Sequence, residues 1–388
     1  MKNLSLKERI FFGLICNEKR VYHHWYSRFL LAQVDIDRIQ RVVARTQNWF
    51  HWLDEWSEEG KALDHKAENS LQQGNLLTAR NLFHASAGCY HVGQHFFYFD
   101  ELKKDLAMHE IRRLYERAIS LNNPEDRPRR IEIPFRETVI PGYLRLQQEH
   151  KRPLIILING MDNVKEVEQH YWSELLVEAG FNTFVFDGPG QGEMGYSMKM
   201  IPDYEKSVTE ILNWFEAHHF DEIDLNRIAT IGFSMGGYFS PLVAAHDPRV
   251  TCAVGNGGPA KLSLIPTGYR ANPVLQRCFP HATGLDSYKE SLEYLNYDIT
   301  KAPPLECPFL LFHSGNDKII PKGKKHAEIY MEWAAGEKEL VYYPDGEHVC
   351  ANYLDEVIPK TIDWLLQKFT MSHTKLNKHR RMEPGHSV

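Results

Sequence analysis

Along the first 122 positions apolar residues recur at helical intervals. In "VDIDRIQRVVARTQNWFHWLDEWSEEGKAL", Ile36, Ile39, Val42, Val43 and Trp49 fall on one stripe of a predicted helix. "NLLTARNLFHASAGCYHVGQHFFYF" instead spreads Leu82, Phe83, Cys89, Tyr90, Phe96 and Phe97 over more than one face, which predicts a helix buried most of the way round. "NNPEDRPRR", positions 122–130, is a charged, punctuated linker. Beyond it the period changes. "RRIEIPFRETVIPGYLRLQ" reads as two strands with a turn near Pro141-Gly142. "PLIILING", "NTFVFDG", "IATIGFS", "VTCAVGN", "PFLLFHS" and "ELVYYPD" then follow as short strand-like runs, and continuous apolar stretches such as "PLIILING" are expected where both faces are covered.

Helical stretches at about 171–179 and 204–218 separate these runs, and a helix at about 353–369 closes the series. Repeated strand–helix units imply a mostly parallel sheet with helices on both faces. The chain therefore divides into an all-helical N-terminal domain over 1–128, an α/β domain over 129–370 and a flexible polar tail over 371–388. The connection at about 257–307 is too long for a plain crossover and predicts a helical excursion over one end of the sheet.

The apolar run "IATIGF" ends in "GFSMGG" before the text turns helical. G-x-S-x-G by itself is weak, and a plain turn explains most occurrences. Between a strand and a helix it describes a sharp elbow that lifts the Ser234 hydroxyl above the sheet, with the Met235 N–H placed at a helix start to hold a negative oxygen. A serine nucleophile needs a base and an acid to orient it, from loops at the carboxyl ends of later strands. Asp317 stands just past "PFLLFHS" and His348 just past "ELVYYPD". Asp345 and Glu347 compete for the acid role but lie close to His348 in sequence. The loop after "PLIILING" should carry the second oxyanion donor, Met161 N–H, with Gly160 next. "DGPGQGE", 187–193, reads chiefly as a turn and lacks the G-K-[ST] ending of a phosphate loop.

Composition narrows the context. A net charge of −6 argues against a general nucleic-acid binder, which needs a basic face. Six scattered cysteines with no CxxC pair fit reduced thiols in a cytoplasmic protein. "IFFGLIC" follows basic residues as a signal peptide would, but Glu8 interrupts them and no small-residue cleavage site follows, so an amphipathic helix is expected there. No run reaches the ~20 apolar residues of a membrane span. There is no HExxH spacing, and neither metal nor cofactor is expected. His84, Tyr90, His91 and His95 share one predicted buried helix and are read chiefly as core packing, with one or two facing the substrate as the alternative. The expected partner is a small-molecule substrate, with no nucleic acid and no membrane; a homodimer stays open.

With "GFSMGG", "FDGPGQGE", "HSGNDKIIP" and "GEHV" in this order, the segment from about Arg130 to Phe369 resembles the α/β-hydrolases. "SAGCYHVGQHFF" and "NGMDNVKE" make it similar to the branch containing 2,6-dihydroxypseudooxynicotine hydrolase, fungal pigment polyketide-shortening hydrolases and the fermentation–respiration switch protein. The resemblance implies Ser234 as nucleophile, His348 as base, Asp317 as acid and a pocket between the sheet and a helical cap. It favours cleavage of a carbon–carbon bond beside a ketone in an aromatic or polyketide-like compound. A carboxylesterase, lactonase or peptidase-like acyl hydrolase would use the same residues, and a regulatory protein on the same scaffold is a further alternative. Asn159 stands before Gly160 where lipases carry an HGGG loop, which leaves the second oxyanion donor open.

Overall fold

The computed structural model describes residues 23–95, 97–147 and 151–380, together with positions 6, 9, 10 and 13. The helix expected at 10–16 therefore lies outside the described residues apart from Ile10 and Gly13. Five helices follow: α1 (His23–Leu31), α2 (Ile36–Arg45), α3 (Trp52–Gln72), α4 (Leu76–Gln94) and α5 (Glu101–Ser120). The stripe read through Trp49 is broken. Asp35 caps α2 by accepting from Arg38 N, and the helix stops at Arg45. The Asn48 side chain then takes the Phe50 N–H and starts a separate 3-10 turn at Trp49, which leads into α3. Ile36 is 42% exposed, so Ile39 and Val42 form the buried face of α2. Helix α4 is buried on all sides over its C-terminal half, as its apolar distribution predicts.

Eight strands form one sheet: β1 (Arg129–Phe135), β2 (Thr138–Arg145), β3 (Arg152–Ile158), β4 (Asn182–Phe186), β5 (Ile223–Phe233), β6 (Val250–Asn256), β7 (Phe309–Ser314) and β8 (Lys338–Tyr343). Their order is β1-β2-β4-β3-β5-β6-β7-β8, with β2 antiparallel to both neighbours and the rest parallel. This is the expected α/β-hydrolase sheet. One turn differs from expectation. The β1–β2 reversal falls at Arg136-Glu137, with Arg136 at φ 51°, and Pro141-Gly142 lies inside β2. Gly142 serves packing here, because a Cβ would stand 2.3 Å from the Phe184 ring.

Between the strands run α6 (Glu168–Glu178), the short α7 (Met194–Ser197), α8 (Glu205–His218) and α9 (Met235–His246). The 257–307 connection contains α10 (Leu275–Thr283) and α11 (Tyr288–Leu295), as expected of a helical excursion. Helices α12 (Gly323–Trp333) and α13 (Leu354–Arg380) complete the chain. Helix α13 continues to Arg380 where a flexible tail was expected from 371. No glycine or proline interrupts the chain between Phe369 and Arg380 to stop it.

Side-chain alternation divides the core. Leu154, Ile156 and Ile158 of β3 pack into the same apolar cluster as Phe29, Trp52 and Phe83, while Ile155 and Leu157 face Leu176, Leu310 and Leu365 on the other side. The N-terminal helices and one face of the sheet thus share a continuous core. Gly160 after β3, Ser234 after β5, Asn256 at the end of β6 and Val349 in the loop after β8 line one cavity with Arg28 and Leu31 of α1.

Candidate active site

Ser234 occupies the turn between β5 and α9 with φ 56° and ψ −121°, a backbone conformation that side-chain-bearing residues rarely adopt. Such strain costs about 1–3 kcal/mol and persists only where surrounding contacts impose it. Here the Ser234 N–H donates to Asn256 O at 2.8 Å, and Gly237 N–H donates back to Ser234 O at 2.8 Å. Gly236 is needed because the helix start presses on β3: a Cβ there would meet Ile158 O at 2.2 Å.

His348 and Asp317, predicted from positions far apart in sequence, converge on this serine. His348 Nε2 lies 2.9 Å from Ser234 Oγ, and His348 Nδ1 lies 2.8 Å from Asp317 Oδ2. Asp317 Oδ1 accepts the N–H groups of Ile319 and Ile320, each at 2.8 Å. Burial pushes the Asp317 carboxyl upward, but His348 and the two amides outweigh it and hold the group below its ordinary range. The competitor Asp345 is exposed and takes the Tyr353 hydroxyl at 2.7 Å instead. The next residues, Val349 and Cys350, have φ values of 54° and 53°, and Asn256 Nδ2 donates to Val349 O at 2.9 Å. Asn256 therefore braces both the serine turn and the histidine loop, a role with no motif to announce it.

Of the three oxyanion candidates, Gly160 and Met235 lie beside Ser234. Gly160 packs against Ser234, since a Cβ on it would lie 3.3 Å from Ser234 Cβ. Met161 is the next residue of that loop, which runs on to α6 at Glu168, and Met235 opens α9. No sequence motif marks what holds that loop. Lys165 is completely buried and reaches Asp187 Oδ2 at 2.9 Å, Glu166 Oε1 at 2.6 Å and Glu193 Oε2 at 2.8 Å. Asp187 Oδ1 also accepts from Asn159 Nδ2 at 2.7 Å and from Lys165 N at 3.0 Å, while its Oδ2 accepts Glu193 N at 2.9 Å. Burial alone would pull the Lys165 ammonium down, yet the three carboxylates hold it well above its ordinary value. The "DGPGQGE" segment, read as a turn, is thus the anchor of the "NGMDNVKE" loop.

A narrow cavity of about 20 Å³ adjoins Ser234 and is bounded by Arg28, Gly160, Asp162, Glu168, Trp172 and Val349. Arg28 comes from α1, which packs over the His348 loop. Its guanidinium meets Glu168 at 2.9 and 3.3 Å, and His91 Nε2 lies 3.3 Å from the same carboxylate. Burial raises Glu168, but Arg28 and His91 outweigh it and keep the group below the usual carboxylate value. His91, His95 and Glu168 bring donor atoms within 4.8 Å of one another. The guanidinium pressed on Glu168 opposes a cation there, so this is a polar wall of the cavity. Of the N-terminal histidines, His84 lies farther off, stacked on His170 at 4.5 Å, and both are buried. Tyr90 is buried as well.

Known proteins share this architecture. The 2,6-dihydropseudooxynicotine hydrolase of Paenarthrobacter nicotinovorans is 26% identical over 322 residues, covering 81% of this chain and 83% of that protein. Hydrolase acrC of Aspergillus aculeatus is 27% identical over 224 residues, so the match spans 52% of each chain. The crystal structure of the 2,6-dihydroxy-pseudo-oxynicotine hydrolase superposes with a TM-score of 0.78 over 88% of this chain and 94% of that one, at 24% identity, and shows the common fold. Residues 169–372 of the 388 match the prolyl oligopeptidase family, and with the sheet described above the chain is an α/β-hydrolase enzyme belonging to that family.

Proposed function

We propose that the protein is a serine hydrolase in which Ser234 attacks a carbonyl carbon, His348 takes its proton and Asp317 orients and stabilises the imidazolium. The supporting observation is the unbroken hydrogen-bonded line from Ser234 Oγ through both ring nitrogens of His348 to a buried Asp317. In this reading the N–H groups of Met235 and Met161, with Gly160 as the alternate, hold the oxyanion of the tetrahedral intermediate. Collapse of that intermediate breaks the bond to the leaving group, which receives the proton from His348. Water then attacks the acyl-serine with His348 again as base, releases the acid and restores the serine.

The bond cleaved is read as a carbon–carbon bond next to a ketone in an aromatic or polyketide-like molecule. Support comes from the sequence resemblance described above and from the match to a pseudooxynicotine hydrolase over most of both chains. A stabilised carbanion leaves and is protonated on carbon. Membership of the prolyl oligopeptidase family favours a second reading, acyl transfer from an ester or amide, in which an alkoxide or amine leaves. The test compares aryl β-diketones with esters of matched size, in wild type and Ser234→Ala. We expect a higher kcat/KM for the diketones, complete loss in the variant, and fluorophosphonate labelling confined to Ser234. Turnover of the esters alone would assign the second reading. Full activity or labelling in the variant would remove Ser234 from the mechanism.

A further inference from the structure

The cavity beside Ser234 has a neighbour. Asp162 and Asn163 separate it from a second narrow cavity lined by Met161, Gln94, Tyr98 and Lys104. That second cavity shares Tyr98 and His281 with a wide opening of about 930 Å³ bounded by α10, α11 and the residues before α5. The Tyr98 and His281 rings lie 5.1 Å apart at the junction. Opening, throat and serine cavity thus follow one another beneath the helical region.

Lys104 stands in the throat. It projects from α5, is 6% exposed, and its ammonium donates to Gln94 O at 2.7 Å and to Gln94 Oε1. The Tyr98 ring lies 4.7 Å away. No carboxylate pairs with this ammonium among the described residues, which sets it apart from the buried Lys165 with its three carboxylates. A buried lysine whose hydrogen bonds go only to neutral oxygens is costly unless a charged partner reaches it. Of the titratable groups around it, Asp162 brings an opposing charge but makes no ion pair with the ammonium. Burial keeps Tyr98 and the Cys278 thiol protonated, and leaves His95 and His281 neutral. Desolvation correspondingly pulls Lys104 down to about 8.

We propose that Lys104 anchors an anionic oxygen group of the substrate, a carboxylate or an ionised enol or phenol, while the acyl carbon is presented to Ser234. The proposal rests on the serine-hydrolase reading and adds a charge requirement to it. An ionised β-dicarbonyl carries such an oxygen close to the bond to be broken.

The experiment uses nitrophenyl half-esters of dicarboxylic acids of increasing length, an acyl ester bearing an acidic phenol, and neutral esters of matched chain length. In wild type at pH 7, at least one anionic ester should be preferred to its neutral match. Lys104→Met should raise KM for that ester by about tenfold to a hundredfold, the scale of one charge-assisted hydrogen bond, and leave the neutral ester unchanged. Lys104→Arg should retain the preference. In wild type the preference should fade as pH rises through about 8, where Lys104 loses its proton, and this measurement needs no folded variant. Whether the carboxylate or the phenol series responds identifies the group. Equal treatment of charged and neutral esters at every length and pH overturns the anchor. Ester turnover surviving Ser234→Ala overturns the underlying reading instead.

Discussion

Replacing Lys165 with methionine tests the electrostatic bolt behind the Gly160–Met161 loop. The substitution keeps side-chain length and removes the charge from a fully buried position. Glu193 retains Arg130 and Arg112, each with a contact at 2.7 Å, and Asp187 retains three N–H donors. Glu166 loses the only ion-pair partner it has among the described residues. Breaking a buried pair from one side costs about 3–5 kcal/mol, and the surviving contacts place this case near about 3. The sign of the pH response is diagnostic. Burial already pushes the Glu166 carboxyl up to about 7 against the pull of Lys165. Without the lysine it rises further, so the folded variant binds more protons near pH 7 than the wild type and regains stability as pH falls. The deficit measured by urea unfolding should therefore shrink from pH 7 to pH 5, and adding Glu166→Gln should recover part of it at pH 7. Hydrolysis should also slow, because the loop holding the proposed second oxyanion donor loosens. A deficit below about 1 kcal/mol, or one that grows toward pH 5, would refute this account.

Asp317→Asn should lower kcat by about ten-thousand-fold while Asp345→Asn leaves it nearly unchanged, and the opposite ranking in steady-state assays would reassign the acid. His84 and His170 are held far below the ordinary histidine value, first by burial and then by Arg145. The unfolded chain takes up protons below about pH 6.5 that these folded histidines refuse, so each should remove about 1.4 kcal/mol of stability per pH unit as pH falls from there. Urea midpoints that stay flat between pH 7 and pH 5 would contradict that. Deleting residues 1–122 should expose the sheet face shared with Phe29, Trp52 and Phe83 and produce an aggregating protein, as judged by light scattering. A monodisperse truncate with unchanged kcat/KM would show that the helices are dispensable to both core and pocket.

Local pattern determined much of this molecule. Runs such as "PLIILING" and "PFLLFHS" can satisfy their apolar content only as strands covered on both faces, so the parallel sheet is written in period and length. Chain order then placed Ser234, Asp317 and His348 just past strand ends, where a parallel sheet gathers its loops. Tertiary structure decided what short-range signals cannot carry. Pro141-Gly142 looks like a turn in sequence, yet the Phe184 ring claims the space above Gly142 and keeps the pair inside β2. Ile36 through Trp49 looks like one helix, but the side chain of Asn48 begins a new turn. Lys165 with Asp187 and Arg28 with Glu168 are charges more than twenty residues apart, and nothing near either partner marks it as buried. Charge is read as surface from sequence because desolvation is expensive. Only the folded chain, by bringing its opposite within hydrogen-bonding distance, makes burial of such a charge tolerable.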